Sequence, residues 1–365
     1  MKFTCKQKDF LTSLQNVSKA IQSNNTLPVL NNILIKAENG QIILSGTNLE
    51  IAIQSSFKAK VDNEGAFTIP AKILTSYISL LKDEDLKVQL ESTGDLSIQQ
   101  GISDTKIKGI PAEEFPIIPK IEKENEIELP ANELKNLISK VVFAASVNPS
   151  RPVLTGVLFE IDGDEVKLAA TDSYRLSEVK FTAKLKLENS IKTVVPSKTM
   201  FELSKIISGE KNVKVLFAKN QIVFEWENVK FISRLIEGIF PDYKAILPAS
   251  SNVKVEVSLS ELILALKKLS IFAVEKSGSI HMSATNDGIL HLFTEKMASG
   301  ESSEKISAKV DGKNTKVLIN INYLMDILNN IDTEKTQIEM GEKLIPVLIK
   351  PLNKNNYTNI IMPLR

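Results

Sequence analysis

The chain has 365 residues, of which 43% are hydrophobic, and its 45 basic and 44 acidic side chains leave a formal net charge of +1. That length suits two or three domains with a sizeable core, and the charge balance excludes a uniformly basic nucleic-acid binder, so any such binding rests on uneven placement of charge. One cysteine, Cys5, excludes an internal disulfide and fits a reducing cytosol; the start MKFTCKQKDF has no apolar targeting region and no run of about 18 apolar residues occurs, which points to a soluble cytoplasmic protein.

In chain order the first element is KFTCKQKDFLTSLQNVSKAI (2 to 21), a strand and then a helix with Phe10, Leu14, Val17 and Ile21 on one face. The same unit recurs at 126 to 146, where Leu134, Leu137, Ile138, Val141 and Val142 share a face and Lys135, Asn136, Ser139 and Lys140 lie opposite. It recurs again at 254 to 273, where Leu262, Ala265, Leu266, Leu269 and Ala273 face inward and Ser258 with Glu261 has capping-box spacing. Aligning Phe10, Leu134 and Leu262 gives steps of 124 and 128 residues. A second strand-helix unit at 67 to 81, 193 to 207 and 316 to 331 aligns on Leu74, Met200 and Leu324, with steps of 126 and 124. These steps are domain-sized.

Turn signals such as Glu38-Asn39-Gly40, Asp162-Gly163-Asp164 and Asn286-Asp287-Gly288 separate strand-like runs between the helices. The expected fold is therefore α+β: three similar domains, each two helices packed on antiparallel sheet. Boundaries are expected in the charged run KIEKENE and in ASSNV, giving domains at 1–122, 126–250 and 253–365.

The six expected helices, 9–21, 71–82, 131–146, 197–208, 260–273 and 321–331, carry Lys19, Lys72, Lys82, Lys135, Lys140, Lys198, Lys205, Lys267 and Lys268 against Asp9, Glu133, Glu202, Glu261 and Asp326. The helical layer is positive and the remainder slightly negative. Lysines on an outer helix face are most often simply solvated. Repeated around a row of like domains, they would hold phosphates without reading bases.

RPVLTGVLFEIDGDEVKLAATDSYRLSEVK (151 to 180) and FISRLIEGIFPDYKAILP (231 to 248) resemble the bacterial sliding clamp family, the β subunit of DNA polymerase III, as do TLPVLNNILI (26 to 35), GIPAEEFP (109 to 116) and the final IIMPLR (360 to 365). The resemblance implies a DNA clamp fold and a head-to-tail homodimer closed into a six-domain ring around duplex DNA, its helices lining the hole. It also implies a non-catalytic processivity factor that tethers the replicative DNA polymerase, the clamp loader and repair proteins through their short peptides. The peptide pocket would comprise Leu154, Thr171, Ser173, Tyr174, Arg175, Leu176, Pro241, Ile246, Leu247, Leu344, Pro346, Val347, Ile360, Met362, Pro363, Leu364 and Arg365. For each apolar member taken singly the core reading is favoured, and for Met362-Pro363-Leu364 the pocket wall.

DNA contacts are expected from Lys19, Lys72, Lys135, Lys140, Lys198, Lys205, Lys267 and Lys268, and from Asn24, Asn25, Asn148 and Arg151 in loops. Asn24 and Asn25 stand where the family often has a basic residue, and Ala245 where it often has arginine. For closure the resemblance sets Lys106, Ile107 and Lys108 against Ile271, Phe272, Glu301 and Glu304 of the other chain, and the two lysines predict a dimer that weakens with salt. No phosphate loop, nucleophile elbow or zinc spacing is present, His281 and His291 read as structural, and no cofactor or metal is expected. The rival readings are a scaffold that keeps the pocket without the ring and an enzyme whose site is assembled from distant acids.

Overall fold

The computed structural model describes residues 1–21, 27–118, 122, 124–185, 189–207, 209, 211–248, 250–273, 278–296, 300–341 and 344–364. The first repeat runs β1 (Lys2–Lys6), α1 (Gln7–Ser18), β2 (Asn32–Glu38), β3 (Gln41–Thr47), β4 (Ile51–Lys58), β5 (Lys60–Asn63), β6 (Gly65–Pro70), α2 (Ala71–Leu80), β7 (Asp85–Leu90), β8 (Asp95–Gln100) and β9 (Ser103–Lys108). The second runs β10 (Asn125–Pro130), α3 (Ala131–Val141), β11 (Gly156–Asp162), β12 (Glu165–Thr171), β13 (Arg175–Thr182), β14 (Ile191–Pro196), α4 (Ser197–Ile206), β15 (Asn212–Phe217), β16 (Gln221–Trp226) and β17 (Val229–Arg234). The third runs β18 (Val253–Ser258), α5 (Leu259–Ser270), β19 (Ser279–Thr285), β20 (Ile289–Phe293), β21 (Ser303–Gly312), β22 (Thr315–Asn320), α6 (Ile321–Leu328), β23 (Lys335–Met340), β24 (Val347–Pro351) and β25 (Tyr357–Ile361).

All strand pairs are antiparallel and the repeats share one pairing scheme, to which the first adds β5 on β1 and the third β21 on β18. Its first strand joins the three that follow its second helix, as in β1-β7-β8-β9, β10-β15-β16-β17 and β18-β23-β24-β25. The strand before that helix joins the other three, as in β6-β2-β3-β4, β14-β11-β12-β13 and β22-β19-β20-β21. The chain after each repeat's last strand then bonds back to its own sheet: Ile110 N to Thr68 O at 3.0 Å, Ile236 N to Val194 O at 2.9 Å, and Leu364 N to Leu318 O at 2.8 Å. At the first of these, a Cβ on Gly109 would lie 2.0 Å from Thr68 O, so only glycine allows the approach.

The chain forms two compact units, one of Met1–Leu134 with Glu202–Leu235 and one of Lys135–Phe201 with Ile236–Arg365. The second repeat gives one half-sheet to each. In the first unit β17 pairs with β4, Val229 opposite Ser55; in the second β13 pairs with β25, Arg175 opposite Ile361. In the first unit α1 buries Phe10, Leu14 and Val17, and Phe10 meets Phe3 edge-on at 6.1 Å. In the second, α5 is capped by Ser258, whose hydroxyl accepts from Glu261 N at 3.5 Å, and α6 by Asn320.

Periodicity places the helices and overstates their ends. Helix α1 spans Gln7–Ser18, and α3 stops at Val141, where φ of −126° leads into a 3-10 turn at Val142–Ala144. Among the described residues no helix is long and apolar enough to cross a membrane.

Candidate functional site: a cleft around the 171–175 turn

The site lies in the second unit and begins at the β12–β13 turn. Thr171 Oγ1 donates to Arg175 O at 2.7 Å and accepts from Ser173 N at 3.1 Å, while Asp172 Oδ1 accepts from Tyr174 N and Arg175 N, both at 2.9 Å. These bonds hold Ser173 at φ 80° and send neighbouring side chains opposite ways. Tyr174 turns out, 60% exposed. Arg175 turns in, where Nε bonds Asp172 Oδ2 at 3.0 Å, Nη2 bonds Phe143 O at 2.7 Å and Nη1 bonds Asp326 on α6. Its guanidinium also lies 4.6 Å from the centre of the Tyr323 ring. Arg175 therefore clamps the second repeat to the third.

Beside this turn opens a cavity of about 620 Å³, lined by Leu154, Ser173, Tyr174, Arg175 and Tyr323 and by the 145–151 loop. Ser146 N bonds Leu154 O at 2.8 Å, Ser150 N bonds Asn148 Oδ1 at 3.0 Å, and Arg151 reaches Ser173 Oγ at 3.5 Å. Behind the turn Leu158, Ala169, Leu176, Val194, Phe240, Tyr243, Leu348 and Ile360 form one buried cluster, against which Val153, Ile236 and Leu247 pack. Tyr243 donates to Glu178; burial first, then that bond, pushes its phenol well above the usual range. A polar turn, a cationic lip and the open side chains of Tyr174 and Leu154, backed by this buried apolar layer, suit an extended peptide with hydrophobic anchors.

Of the residues expected in a peptide pocket, Leu154, Ser173, Tyr174 and Arg175 line this cavity. Pro241, Ile246 and Leu344 are exposed; Leu247, Pro346, Met362, Pro363 and Leu364 are half-buried, and Met362 N bonds Tyr174 O at 2.8 Å. For Leu176, Val347 and Ile360 the core reading holds, since none is more than 1% exposed. Thr171, 7% exposed, holds the turn and presents no surface. Arg365, Asn24 and Asn25 lie outside the described residues. Asn148 and Arg151, expected as DNA contacts, line the same cavity as Tyr174. Sequence reasoning missed Tyr323 and Phe143, and counted Asp326 only as one of the helix acids; Phe143 and Asp326 gain their role through Arg175.

Two further expectations are corrected. Lys140 is 6% exposed, its Nζ 3.3 Å from Asp332 and 5.2 Å from the centre of the Tyr357 ring, so it is an internal tie in place of a phosphate contact. Its carbonyl accepts from Ser177 Oγ at 2.6 Å and Tyr357 Oη at 3.0 Å. Ile107 is 6% exposed because strand alternation turns it to the buried face of its sheet, which leaves Lys106 and Lys108 on the opposite, exposed face of β9. Lys106 is bound to Glu91 at 2.7 Å. Lys19, Lys72, Lys135, Lys198 and Lys267 are exposed, whereas Lys205 pairs with Glu202 and Lys268 with Glu304, each at 3.0 Å. Ile271 is 72% exposed and Phe272 partly buried. His281 and His291 flank Phe293 at ring-centre distances of 4.8 and 4.6 Å, and burial pushes the Cys5 thiol up to about 12, with Asp9 and Asp85 adding to it.

Comparison with known proteins decides the family. Models of the DNA polymerase III beta subunit match along the whole chain: the N-terminal domain over residues 1–119, the central domain over 128–242 and the C-terminal domain over 244–365. The chain belongs to the DNA polymerase III beta subunit family. It is 32% identical over 375 residues to the Beta sliding clamp of Staphylococcus aureus, covering 100% of this chain and 99% of that one. The DNA polymerase sliding clamp from Bacillus subtilis superimposes with a TM-score of 0.95 at 28% identity, covering 100% and 99% of the two chains. The DNA polymerase III subunit beta from Pseudomonas aeruginosa gives 0.96 at 26% identity, covering 100% of both. The expected fold of three clamp domains holds, and so does the function: a sliding clamp, a non-catalytic processivity factor of DNA replication.

Proposed function

We propose that two chains close head to tail into a cytoplasmic ring around duplex DNA, with domains at 1–122, 126–250 and 253–365, and that the Tyr174 cleft receives short peptides of the replicative polymerase, clamp loader and repair proteins. The observation that carries the ring is a junction rule. Within the chain the last strand of a half-sheet pairs with the last strand of the next repeat, β4 with β17 and β13 with β25. Applied once more, the rule joins β21 of one chain, through residues 303–307 that pair with β20 alone while 308–312 pair with β18, to β9 of another, and β9 pairs only with β8 among the described residues. A head-to-tail contact of this kind forms a closed assembly when the rotation per repeat completes the circle.

Side chains support the same rule. At the second-to-third junction Phe143 and Tyr323 flank Arg175. Counting nine residues from Leu134 and from Leu262 makes Ile271 the equivalent of Phe143; counting one back from Leu324 and Leu74 makes Ile73 the equivalent of Tyr323. Ile271 is 72% and Ile73 56% exposed, apolar groups left open at the two ends that the rule brings together. In the ring, Lys19, Lys72, Lys135, Lys198 and Lys267 hold phosphates without reading bases, which permits sliding.

For the ring, the test is the oligomeric state of the Ile271→Asp variant. A dimeric wild type and a largely monomeric variant are expected at micromolar concentration; a monomeric wild type would end the ring reading. For the cleft, Tyr174→Ala is expected to weaken binding of a polymerase C-terminal peptide.

A further inference from the structure

We propose that the first unit carries a second peptide-docking cleft, a repeat of the Tyr174 cleft, that takes an extended partner segment with a leucine or phenylalanine anchor. The proposal rests on the reading of the Tyr174 cleft as a peptide site. Its backbone cradle is the same. Asn48 Oδ1 accepts from Glu50 N at 3.0 Å and Ile51 N at 2.8 Å, as Asp172 does for Tyr174 and Arg175. Thr47 Oγ1 donates to Ile51 O at 2.8 Å and accepts from Leu49 N at 3.0 Å, repeating Thr171. Arg234 N bonds Glu50 O at 3.0 Å where Met362 N bonds Tyr174 O. The 3-10 turn Pro28–Asn31, in Leu27-Pro28-Val29-Leu30, repeats Pro152–Thr155 in Arg151-Pro152-Val153-Leu154.

The apolar layer behind the turn repeats too. Ala52 sits opposite Ile232, and Ile232 opposite Val223, in the register that Leu176, Ile360 and Leu348 keep in the second unit. Ala52, Leu216, Val223 and Ile232 form one apolar cluster on which Ile118 packs.

What differs is the lip. The two groups that meet across the second unit's cleft, Arg151 and Ser173, are replaced at the equivalent positions by Leu27 and Leu49, which are 51% and 48% exposed. Leu49 keeps φ at 73°, a left-handed conformation unfavourable for a branched apolar side chain. Strain of this sort persists where surrounding bonds impose it and is concentrated at binding positions. Two open leucines on the same cradle supply contact for an apolar anchor where the second unit has a cation and a hydroxyl, while Arg234, exposed at the position of Met362, is the cation that remains.

The test uses the full-length protein and a Gly-Leu-Ser-Leu-Phe peptide whose phenylalanine is replaced by benzoylphenylalanine, with photo-adducts mapped by mass spectrometry. Adducts are expected both within 27–52 and within 151–176. The Leu27→Asp/Leu49→Asn variant should lower the first set about tenfold and leave the second within about twofold, the loss expected from removing a leucine's apolar contact. Both residues are half-exposed and asparagine accepts a left-handed backbone, so the variant keeps its fold, checked by circular dichroism. Adducts within 151–176 alone, or adducts within 27–52 that survive the double substitution, overturn the second cleft and leave the Tyr174 pocket standing. Adducts at neither place overturn both.

Discussion

Replacing Arg175 with alanine removes the group that fixes the cleft turn to α6, and its cost follows from the partners left behind. The Arg175 side chain is 12% and Asp172 14% exposed, so the substitution strands a nearly buried carboxylate and leaves Phe143 O without its donor. Breaking a buried, hydrogen-bonded pair in this way costs about 3–5 kcal/mol. Asp326 is 46% exposed, so its share is a solvent-screened pair worth under about 1 kcal/mol. We therefore expect Arg175→Ala to destabilise by roughly 3 kcal/mol or more and Asp326→Asn by under about 1 kcal/mol, measured as shifts in urea midpoint with a common slope. Arg175→Lys should recover little, because an ammonium cannot serve three acceptors in one plane. Equal costs for Arg175→Ala and Asp326→Asn would refute the reasoning, for then the exposed pair and not the buried clamp carries the energy.

Burial alone would raise the Asp332 carboxyl, but the bonds from Lys354 and Lys140 outweigh it and hold it below its ordinary value of 3.8. A lowered carboxylate stabilises the fold at pH above that ordinary value, and the benefit is lost as pH falls through the folded value. Urea midpoints of wild type and Asp332→Asn should accordingly differ at pH 7 and converge in acid, with a gap under about 1 kcal/mol because Asp332 is half-exposed. Lys135→Ala and Lys198→Ala should each reduce the slope of log affinity for duplex DNA against log salt by about one, with no change in sequence preference. Ile271→Asp should raise the dimer dissociation constant by about tenfold or more by sedimentation, since an apolar contact is exchanged for a buried charge.

Much of the fold is legible in the sequence because both periods repeat: Leu74, Met200 and Leu324 mark one helix set, Phe10, Leu134 and Leu262 the other, and all six are fully buried. What stays illegible depends on partners far along the chain. Lys140 lies on the polar side of a helical wheel, and only Asp332 and Tyr357, remote in sequence, turn it into an internal tie. Leu176 and Ile360 look the same as pocket wall or as core until the β13–β25 pairing places them behind the turn. The equivalence of the 47–51 and 171–175 turns is hidden by different side chains, Leu49 for Ser173 and Glu50 for Tyr174, although Thr47-Asn48 against Thr171-Asp172 is a visible trace of it. Ile107 departs from the expected interface for a simpler reason: alternation along β9 puts it on the face opposite to Lys106 and Lys108.

The central claim is that topology, and not tight adhesion, keeps the protein on DNA. It is tested by loading the protein on nicked circular plasmid, separating bound from free protein by gel filtration, and then linearising the plasmid. The account predicts retention on the circle at moderate salt and release once an end is available. Equal retention before and after linearisation, or no retention on the circle after loading by the clamp loader, would contradict it.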